Sequence, residues 1–495
     1  MKSAFHAWPT IDLKSVRPHP SALSLIPVKV ALFYKCFPLL VDDHAVTVVV
    51  SDPWNTQMVD ELGMLISRPI KMVLADEKSI FEIIREKYGL GAENVQGIIQ
   101  ENLVSTLRPS VLDLENLSSE ASVANLINQV LLEGHRRGAT DVHLEPFERD
   151  FRIRYRVDGM LEDVRLPQNI GRFREAMISR IKIMSNLNIA EKRLPQDGRC
   201  KVKAKEVELD LRISCLPSSN GESVVIRILN SQKLFRIAEL GFSAEHLLQF
   251  QQMLSRPHGI LFVTGPTGSG KTTTLYAGLS SLNREARKII TIEDPIEYQI
   301  PGIVQVAVNP SIGLNFAKGL RSILRHDPDV MMVGEVRDGE TAQVAIQSAL
   351  TGHLVLSTVH TNDAASGIAR LVDMGIEPYL IVSSVQCFIA QRLVRTLCHR
   401  CKEEENMMIQ GIQERTFRGK GCESCRGTGY RGRQAIYEFL ILNDSLREMI
   451  LQRAPAGEIK KKAVESGMQT LNDHGLQRVR EGVISLSELL RVTKE

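Results

Sequence analysis

The sequence predicts a multidomain α/β protein: two small N-terminal α+β domains, a larger domain on a mostly parallel, helix-covered sheet, and a helical C-terminal region. Three observations predict it. Between about residues 240 and 395, short apolar runs alternate with amphipathic helical stretches, the pattern of a parallel sheet buried on both faces. Before about residue 236, period-2 strands such as Phe151–Val157 mix with helical segments. A chain of 495 residues also exceeds what one hydrophobic core serves and should divide into about three or four domains.

The elements follow in order. Ala45–Val50 reads as a strand, Ser51–Asn55 as a turn and Lys78–Tyr88 as a helix, which makes residues 1–95 a small α+β module. Residues 96–120 are polar with little periodicity and read as a linker. A second α+β domain, 121–236, opens with a helical pattern over Val123–Arg137 and carries strands at Phe151–Val157 and Val207–Ile213. In the 240–395 domain the strands are Gly259–Thr264, Ile289–Ile292, Val330–Val333 and Leu354–Val359, with helices at 314–325, 339–350 and 363–373. Residues 396–435 form a four-cysteine module, and 436–495 a helical C-terminal region.

Composition bounds the rest. Apolar residues at 43% and charged residues at 24% are ordinary for a soluble globular protein. No stretch reaches 18 uncharged apolar residues; Ile26–Val41 is broken by Lys29, Lys35 and two prolines. Met1–Pro9 lacks the apolar core of a signal peptide, so a cytoplasmic location is expected. A net charge of +3 implies neither a nucleic-acid coat nor a strongly membrane-seeking surface, and any such role would have to be local.

Residues 265–272 read Gly265-Pro266-Thr267-Gly268-Ser269-Gly270-Lys271-Thr272, a full match to the phosphate-binding P-loop, placed after a strand and before a helix that opens with Thr273. Glycines let successive backbone N–H groups approach phosphate oxygens, and a helix N-terminus favours anions. Lys271 would neutralise the outer phosphates and Thr272 would offer its hydroxyl to Mg²⁺. A chance match in a chain of this length has a probability of roughly 2%. The expectation is a RecA-like P-loop nucleotide hydrolase that uses ATP and Mg²⁺.

Ligands of open parallel sheets bind beyond the carboxyl ends of the strands. The polar residues that follow each apolar run are Glu293, Asp294 and Glu297 after the second, Glu335 after the third and His360 after the fourth. Phosphoryl transfer needs a group that orients the attacking water and carboxylates near the metal. Glu335 is chosen for the water; Glu293, Asp294 and Glu297 are candidates for the magnesium and water shell. Any one of them alone reads as a solvated surface charge, and their convergence on the P-loop edge favours function. His353 and His360 are open between general base, metal ligand, nucleotide sensor and structural hydrogen-bond partner.

Cys398-x2-Cys401 and Cys422-x2-Cys425 are separated by 20 residues, the spacing of a four-cysteine zinc site. A redox pair or four unrelated thiols are the alternatives. Four protein ligands leave no open position, so the metal would be structural. Cys36, Cys200, Cys215 and Cys387 lack partner spacing and read as buried thiols. Residues 392–433 hold ten Lys/Arg against five Glu, which could grip nucleic acid or anionic lipid. Only Phe417 and Tyr430 are interleaved, so base stacking is poorly supported and a subunit or membrane-side contact is favoured.

The motifs together resemble the secretion ATPases of the type II and type IV families. Thr291–Tyr298 resembles their Asp box, Asp327–Asp338 their Walker B segment ending in Gly334-Glu335, and Leu350–His353 through His360–Ala364 their His box. Gly138–Pro146, Arg154–Gly159 and Leu194–Arg199 resemble the family's N-terminal half. Gly334 stands where many NTPases carry Asp, which weakens direct metal coordination from that strand; within this family Gly-Glu is the expected form. The resemblance implies that Arg212 and Arg227 are arginine fingers, whereas the residues alone favour pairing with local carboxylates.

It further implies a homo-hexamer that hydrolyses ATP to drive pseudopilus assembly under a polytopic inner-membrane platform protein. Residues 1–95 would dock on the cytoplasmic domain of a single-span inner-membrane protein. An extension ATPase of type IV pilus assembly shares every motif and is the near alternative; retraction ATPases fit less well, lacking the four-cysteine insert. From a different class, a nucleic-acid translocase would require DNA-stimulated, salt-sensitive hydrolysis, and a nucleotide-gated scaffold would bind ATP without turnover.

Overall fold

A computed structural model of the chain describes residues 8–13, 18–42, 44–66, 68–88, 114–166, 170–204, 207–229, 235–409 and 411–493. The chain divides into two units, 1–230 and 231–495.

The first unit contains two sheets. The first is three-stranded, from β1 (Cys36–Val41), β2 (Val46–Val50) and β3 (Ile70–Leu74) in the order β1-β2-β3. Short helices α1 (Pro20–Leu23) and α2 (Val28–Phe33) precede it, and α3 (Thr56–Ile66) and α4 (Glu77–Tyr88) follow β2 and β3. The apolar run Val46–Val50 is buried between them, with Val46, Val48, Val49 and Val50 in one core with Phe37, Leu62 and Ile80. The expected strand and helix are therefore present. Most of the expected linker lies outside the described residues; its last part is helical, because α5 begins at Leu114 and runs to Arg136.

After α5 comes a six-stranded sheet in the order β6-β5-β4-β9-β8-β7, antiparallel at every pairing. Its strands are β4 (Ala139–Pro146), β5 (Phe151–Val157), β6 (Met160–Asp163), β7 (Gln196–Ala204), β8 (Val207–Ser218) and β9 (Gly221–Leu229). The alternation in sequence matches one covered face: Phe151, Ile153 and Tyr155, like Leu209, Leu211 and Ile213, enter a core shared with α5 and with α6 (Arg174–Met184). The arginines between those residues stand on the other face.

The second unit is a seven-stranded sheet between two helical layers. Its strands are β10 (Gly259–Thr264), β11 (Ile289–Glu293), β12 (Val304–Ala307), β13 (Val330–Val333), β14 (Leu354–Val359), β15 (Val385–Leu397) and β18 (Tyr430–Ile441), ordered β12-β11-β13-β14-β10-β15-β18. All pairings are parallel except β15–β18. Ile260 and Phe262 face one core, whereas Leu261 and Val263 face the other, so β10 is apolar throughout. Helices α7 (Ala244–Ser255) and α8 (Lys271–Leu282) cover one face. The other is covered by α9 (Phe316–Ile323), α10 (Gly339–Leu350), α11 (Ala364–Asp373) and α12 (Pro378–Ser384).

The C-terminal residues differ from the expectation of a separate helical region. Residues 430–441 are the antiparallel edge strand of this same sheet. The helices after it, α13 (Asp444–Leu451), α14 (Ala456–Glu465), α15 (Leu471–Arg480) and α16 (Leu486–Thr493), bury Leu446, Ile459, Val479 and Leu489 in the core under α10 and α11. The four-cysteine module is an excursion between two paired strands, and it contains a hairpin of β16 (Lys402–Ile409) and β17 (Ile412–Gly419). Among the described residues no helix is long and apolar enough to cross a membrane.

Candidate nucleotide and metal sites

The P-loop is placed by its neighbours in the sheet. β10 lies between β14 and β15, and the loop leaves its carboxyl end at Gly265 and enters α8 at Lys271. Lys271 is buried, and its Nζ donates to the carbonyls of Gly265 at 2.8 Å and Pro266 at 3.0 Å. Burial lowers its pKa to about 8, with the nearby Arg392 acting in the same direction and Glu335 opposing. A polyanion at the loop would supply the charge that burial takes away.

Glu335 follows β13 on a turn held from β14. Ser357 Oγ donates to the Val333 carbonyl at 2.9 Å, Thr358 Oγ1 to the Gly334 carbonyl at 2.8 Å, and the Val336 N–H to the Thr358 carbonyl at 2.9 Å. A Cβ at Gly334 would lie 3.3 Å from Glu293 Cα, so the close approach of the two strand ends accounts for glycine there. Glu335 is mostly buried; its Oε1 lies 2.5 Å from an Arg337 guanidinium nitrogen and its Oε2 3.2 Å from His360 Nε2. His360 reaches it because Thr361 anchors the following loop to β10: the Thr361 N–H donates to Thr264 Oγ1 at 3.0 Å. His353 is at the opposite, amino end of β14, with Nδ1 2.9 Å from the Ser348 carbonyl.

The three Asp-box carboxylates separate. Glu293 is buried, and its carboxylate accepts from the Tyr276 hydroxyl, from Thr291 Oγ1 at 2.6 Å and from Gln305 Nε2 at 3.0 Å. It braces α8 against β11 and is turned away from water. Asp294 is exposed and Glu297 half-buried. The two Glu charges, after burial, also push the Tyr298 hydroxyl up to about 12. Thr272 and Thr273, at the first turn of α8, are half-buried.

In the other unit, Arg212 on β8 is directly opposite Arg227 on β9. Arg227 Nε donates to Asp141 Oδ1 at 3.1 Å, so the local pairing expected from the residues alone is present for this arginine. The register continues the row to Arg199 on β7 and, through Asp141 on β4, to Arg156 on β5. Arg156 and Arg199 fall in the segments 154–159 and 194–199 that resemble the family, without a role assigned from sequence; strand register puts them beside the other two.

The four cysteines Cys398, Cys401, Cys422 and Cys425 converge, with all sulfurs within 4.8 Å of one another. The separations Cys398–Cys422, Cys401–Cys425 and Cys422–Cys425 are 3.8, 3.7 and 3.7 Å. A tetrahedral ion with bonds of about 2.3 Å holds its sulfur ligands about 3.8 Å apart, so the donor set and its spacing fit Zn²⁺. Some of the basic residues around it are in ion pairs: Arg415 with Glu404, Lys420 with Glu403 at 3.2 Å, and Arg395 with Glu488 at 2.7 Å.

Comparison with known proteins gives two family matches. Residues 116–491 match the Type II/IV secretion system protein family and residues 6–94 the MshEN domain. The Type II secretion system ATPase E of Vibrio cholerae is 48% identical over 78% of both chains. The Type IV pilus assembly ATPase PilB of Myxococcus xanthus is 41% identical over 97% of this chain and 88% of its own. A solved structure of the pilus retraction motor PilT with bound ADP is 26% identical, with a TM-score of 0.51 over 74% of this chain and 97% of its own.

Proposed function

The chain belongs to the type II/IV secretion system protein family, and from that premise we propose a motor ATPase that powers pseudopilus assembly and protein export by a type II secretion system. The observation that carries the reading is the meeting of the P-loop with Glu335 and His360 at the carboxyl ends of adjacent strands β10, β13 and β14. The N–H groups of residues 267–270 and the ammonium of Lys271 hold the phosphates of ATP. The Thr272 hydroxyl would hold Mg²⁺, which would supply charge neutralisation at those phosphates. Glu335 accepts a proton of the attacking water and aims its oxygen at the terminal phosphorus, while Arg337 and His360 hold the carboxylate in one rotamer. Asp294 and Glu297 face the outer hydration shell, and Glu293 fixes α8. Arg212 and Arg227 supply positive charge to the transition state across a subunit boundary of a homo-hexamer.

Cys398, Cys401, Cys422 and Cys425 would hold Zn²⁺ as a structural ion. Residues 1–95 dock on the cytoplasmic domain of a single-span inner-membrane protein, and the motor works beneath a polytopic platform protein. It is cytoplasmic and held peripherally at the inner membrane through these partners. The pilus-assembly reading is kept because the PilB relative matches almost the whole chain; nucleic acid is disfavoured because the relatives are secretion and pilus-assembly ATPases.

Two measurements test this. Glu335→Gln should retain ATP binding and lose hydrolysis by about a hundredfold or more; unchanged turnover removes Glu335 from its role. Gentle cross-linking in native membranes, followed by purification, should recover platform and pseudopilin components. Recovery of pilus-assembly proteins would keep the chemistry and assign the motor to a pilus.

A further inference from the structure

Gln391 belongs to no phosphate-binding motif and is 120 residues from the P-loop lysine, yet it touches both ends of that loop. It lies on β15, parallel to β10, with Ala390 in register with Thr264, so Gln391 is beside Gly265 where the loop departs. The residue is 2% exposed. Its side-chain Oε1 accepts from Thr274 Oγ1 at 2.8 Å, and Thr274, itself fully buried, is one turn inside α8 from Lys271.

The two glycines that bound the loop are shaped against the same residue. Gly265 has φ +146°, and a Cβ there would lie 2.5 Å from the Gln391 carbonyl oxygen. Gly270 has φ +88°, and a Cβ there would lie 2.7 Å from Gln391 Nε2. The approach at Gly265 is to a backbone atom and leaves no room for a side chain, that at Gly270 is to the tip of the Gln391 side chain, and both backbone conformations favour glycine. The backbone of Gln391 therefore lies against the departure of the loop from the strand, and its buried side-chain amide lies against the entry of the loop into the helix.

We propose that Gln391 is a positioning residue of the nucleotide site: it fixes the P-loop from beneath, so that the loop N–H groups and the first turn of α8 are aimed at phosphate before ATP arrives. This rests on the reading of residues 265–272 as the ATP site. A cradle of backbone donors loses affinity when it must be ordered on binding, so loosening Gln391 should act on nucleotide affinity more than on the chemical step, in which Gln391 has no contact.

The test uses the full-length protein with Mg²⁺ and ADP or ATP. Gln391→Leu, close in volume and without the amide, should weaken ADP binding and raise KM by roughly five- to twentyfold, with kcat within about threefold and little change in thermal midpoint. Thr274→Val removes the same hydrogen bond from the other side. The double variant should be no worse than the poorer single, because both remove one interaction. Wild-type ADP affinity in a folded Gln391→Leu protein, or losses that add in the double variant, would overturn the proposal. If Gln391→Leu does not fold, Thr274→Val alone decides: a raised KM supports positioning and an unchanged one excludes it. Lys271→Ala is the control, since loss of nucleotide binding there upholds the ATP site whatever Gln391 does.

Discussion

Arg212 and Arg227 stand directly opposite each other on β8 and β9, in a row that runs from Arg199 across both to Asp141 and Arg156. Side chains opposed in register share one face of the sheet, and like charges there repel. Asp141 pairs with Arg227 and Asp210 with Arg199, so the row is partly neutralised and leaves a basic face that an anion can meet. Arg227→Gln and Arg212→Gln should change the thermal midpoint little, since half-exposed ion pairs contribute about 0–1 kcal/mol, while hydrolysis falls by about a thousandfold. Parallel assays of unfolding and phosphate release check this; full hydrolysis in either variant would leave the arginines with only their local pairing.

Lys271 gives a pH signature. Burial lowers its pKa to about 8 from the usual 10.5, so in the nucleotide-free protein the ammonium is lost as pH rises through about 8. Between about 8 and 10.5 the unfolded chain binds the extra proton, and this residue's contribution to stability rises with pH in that window. Bound phosphates favour the charged form and reverse the shift. ATP affinity should therefore fall from pH 7.5 to 9 with proton uptake on binding, measurable by titration calorimetry in buffers of different ionisation enthalpy. Lys271→Arg should abolish the uptake.

The parts of the site legible in sequence are those whose chemistry constrains neighbouring residues. A phosphate cradle needs glycines, a lysine and a hydroxyl in succession, and a four-sulfur metal site needs paired cysteines, so both motifs appear whole. Glu335 was found because it follows a buried apolar run. Glu293 was grouped with Asp294 and Glu297 as one shell, but strand alternation turns Glu293 inward to Tyr276, Thr291 and Gln305 and leaves Asp294 outside. Gln391, Arg156 and Arg199 depend on register between strands distant in sequence, which local pattern does not carry. The membership of β18 in the nucleotide sheet was hidden for the same reason: the cysteine excursion separates it from its partner β15.

The cysteine site closes that excursion. Cys398 follows the last residue of β15 and Cys425 precedes β18 by a short turn, so a metal held by all four sulfurs would clamp the ends of two paired strands. Protein purified under reducing conditions should carry one zinc per chain, and its cobalt derivative should show the absorption of a tetrahedral four-thiolate site. Chelation or Cys401→Ser should lower the thermal midpoint, since metal affinity adds to folding free energy. Metal-free protein of undiminished stability would exclude a structural ion.

His246 and His474 form a second titrating pair, buried far from any sequence motif. His246 stacks on Phe439 with ring centroids 4.6 Å apart, and the two imidazoles are 4.9 Å apart. His474 Nδ1 accepts the Tyr437 N–H at 3.0 Å, which puts the proton of the neutral ring on Nε2. His246 Nδ1, His474 Nε2 and Arg478 Nε are all buried with no hydrogen-bond partner. Burial lowers both histidines to about 4, reinforced by the Arg478 charge and, for His246, by His474. Unfolded histidine binds its proton near 6.5, so below that pH the unfolded chain takes up protons that the folded one refuses. Stability should therefore be lost as pH falls from about 6.5 toward 4. These histidines join α7, at the start of the nucleotide domain, to α15 and β18, so the loss should appear as release of the C-terminal helices. Denaturant unfolding at pH 7 and pH 5 measures the slope, and hydrogen exchange at pH 5 locates it. His246→Phe, which keeps the stack on Phe439 and cannot titrate, should reduce the pH dependence to the part that His474 carries; the wild-type slope in that variant would assign the acid lability elsewhere.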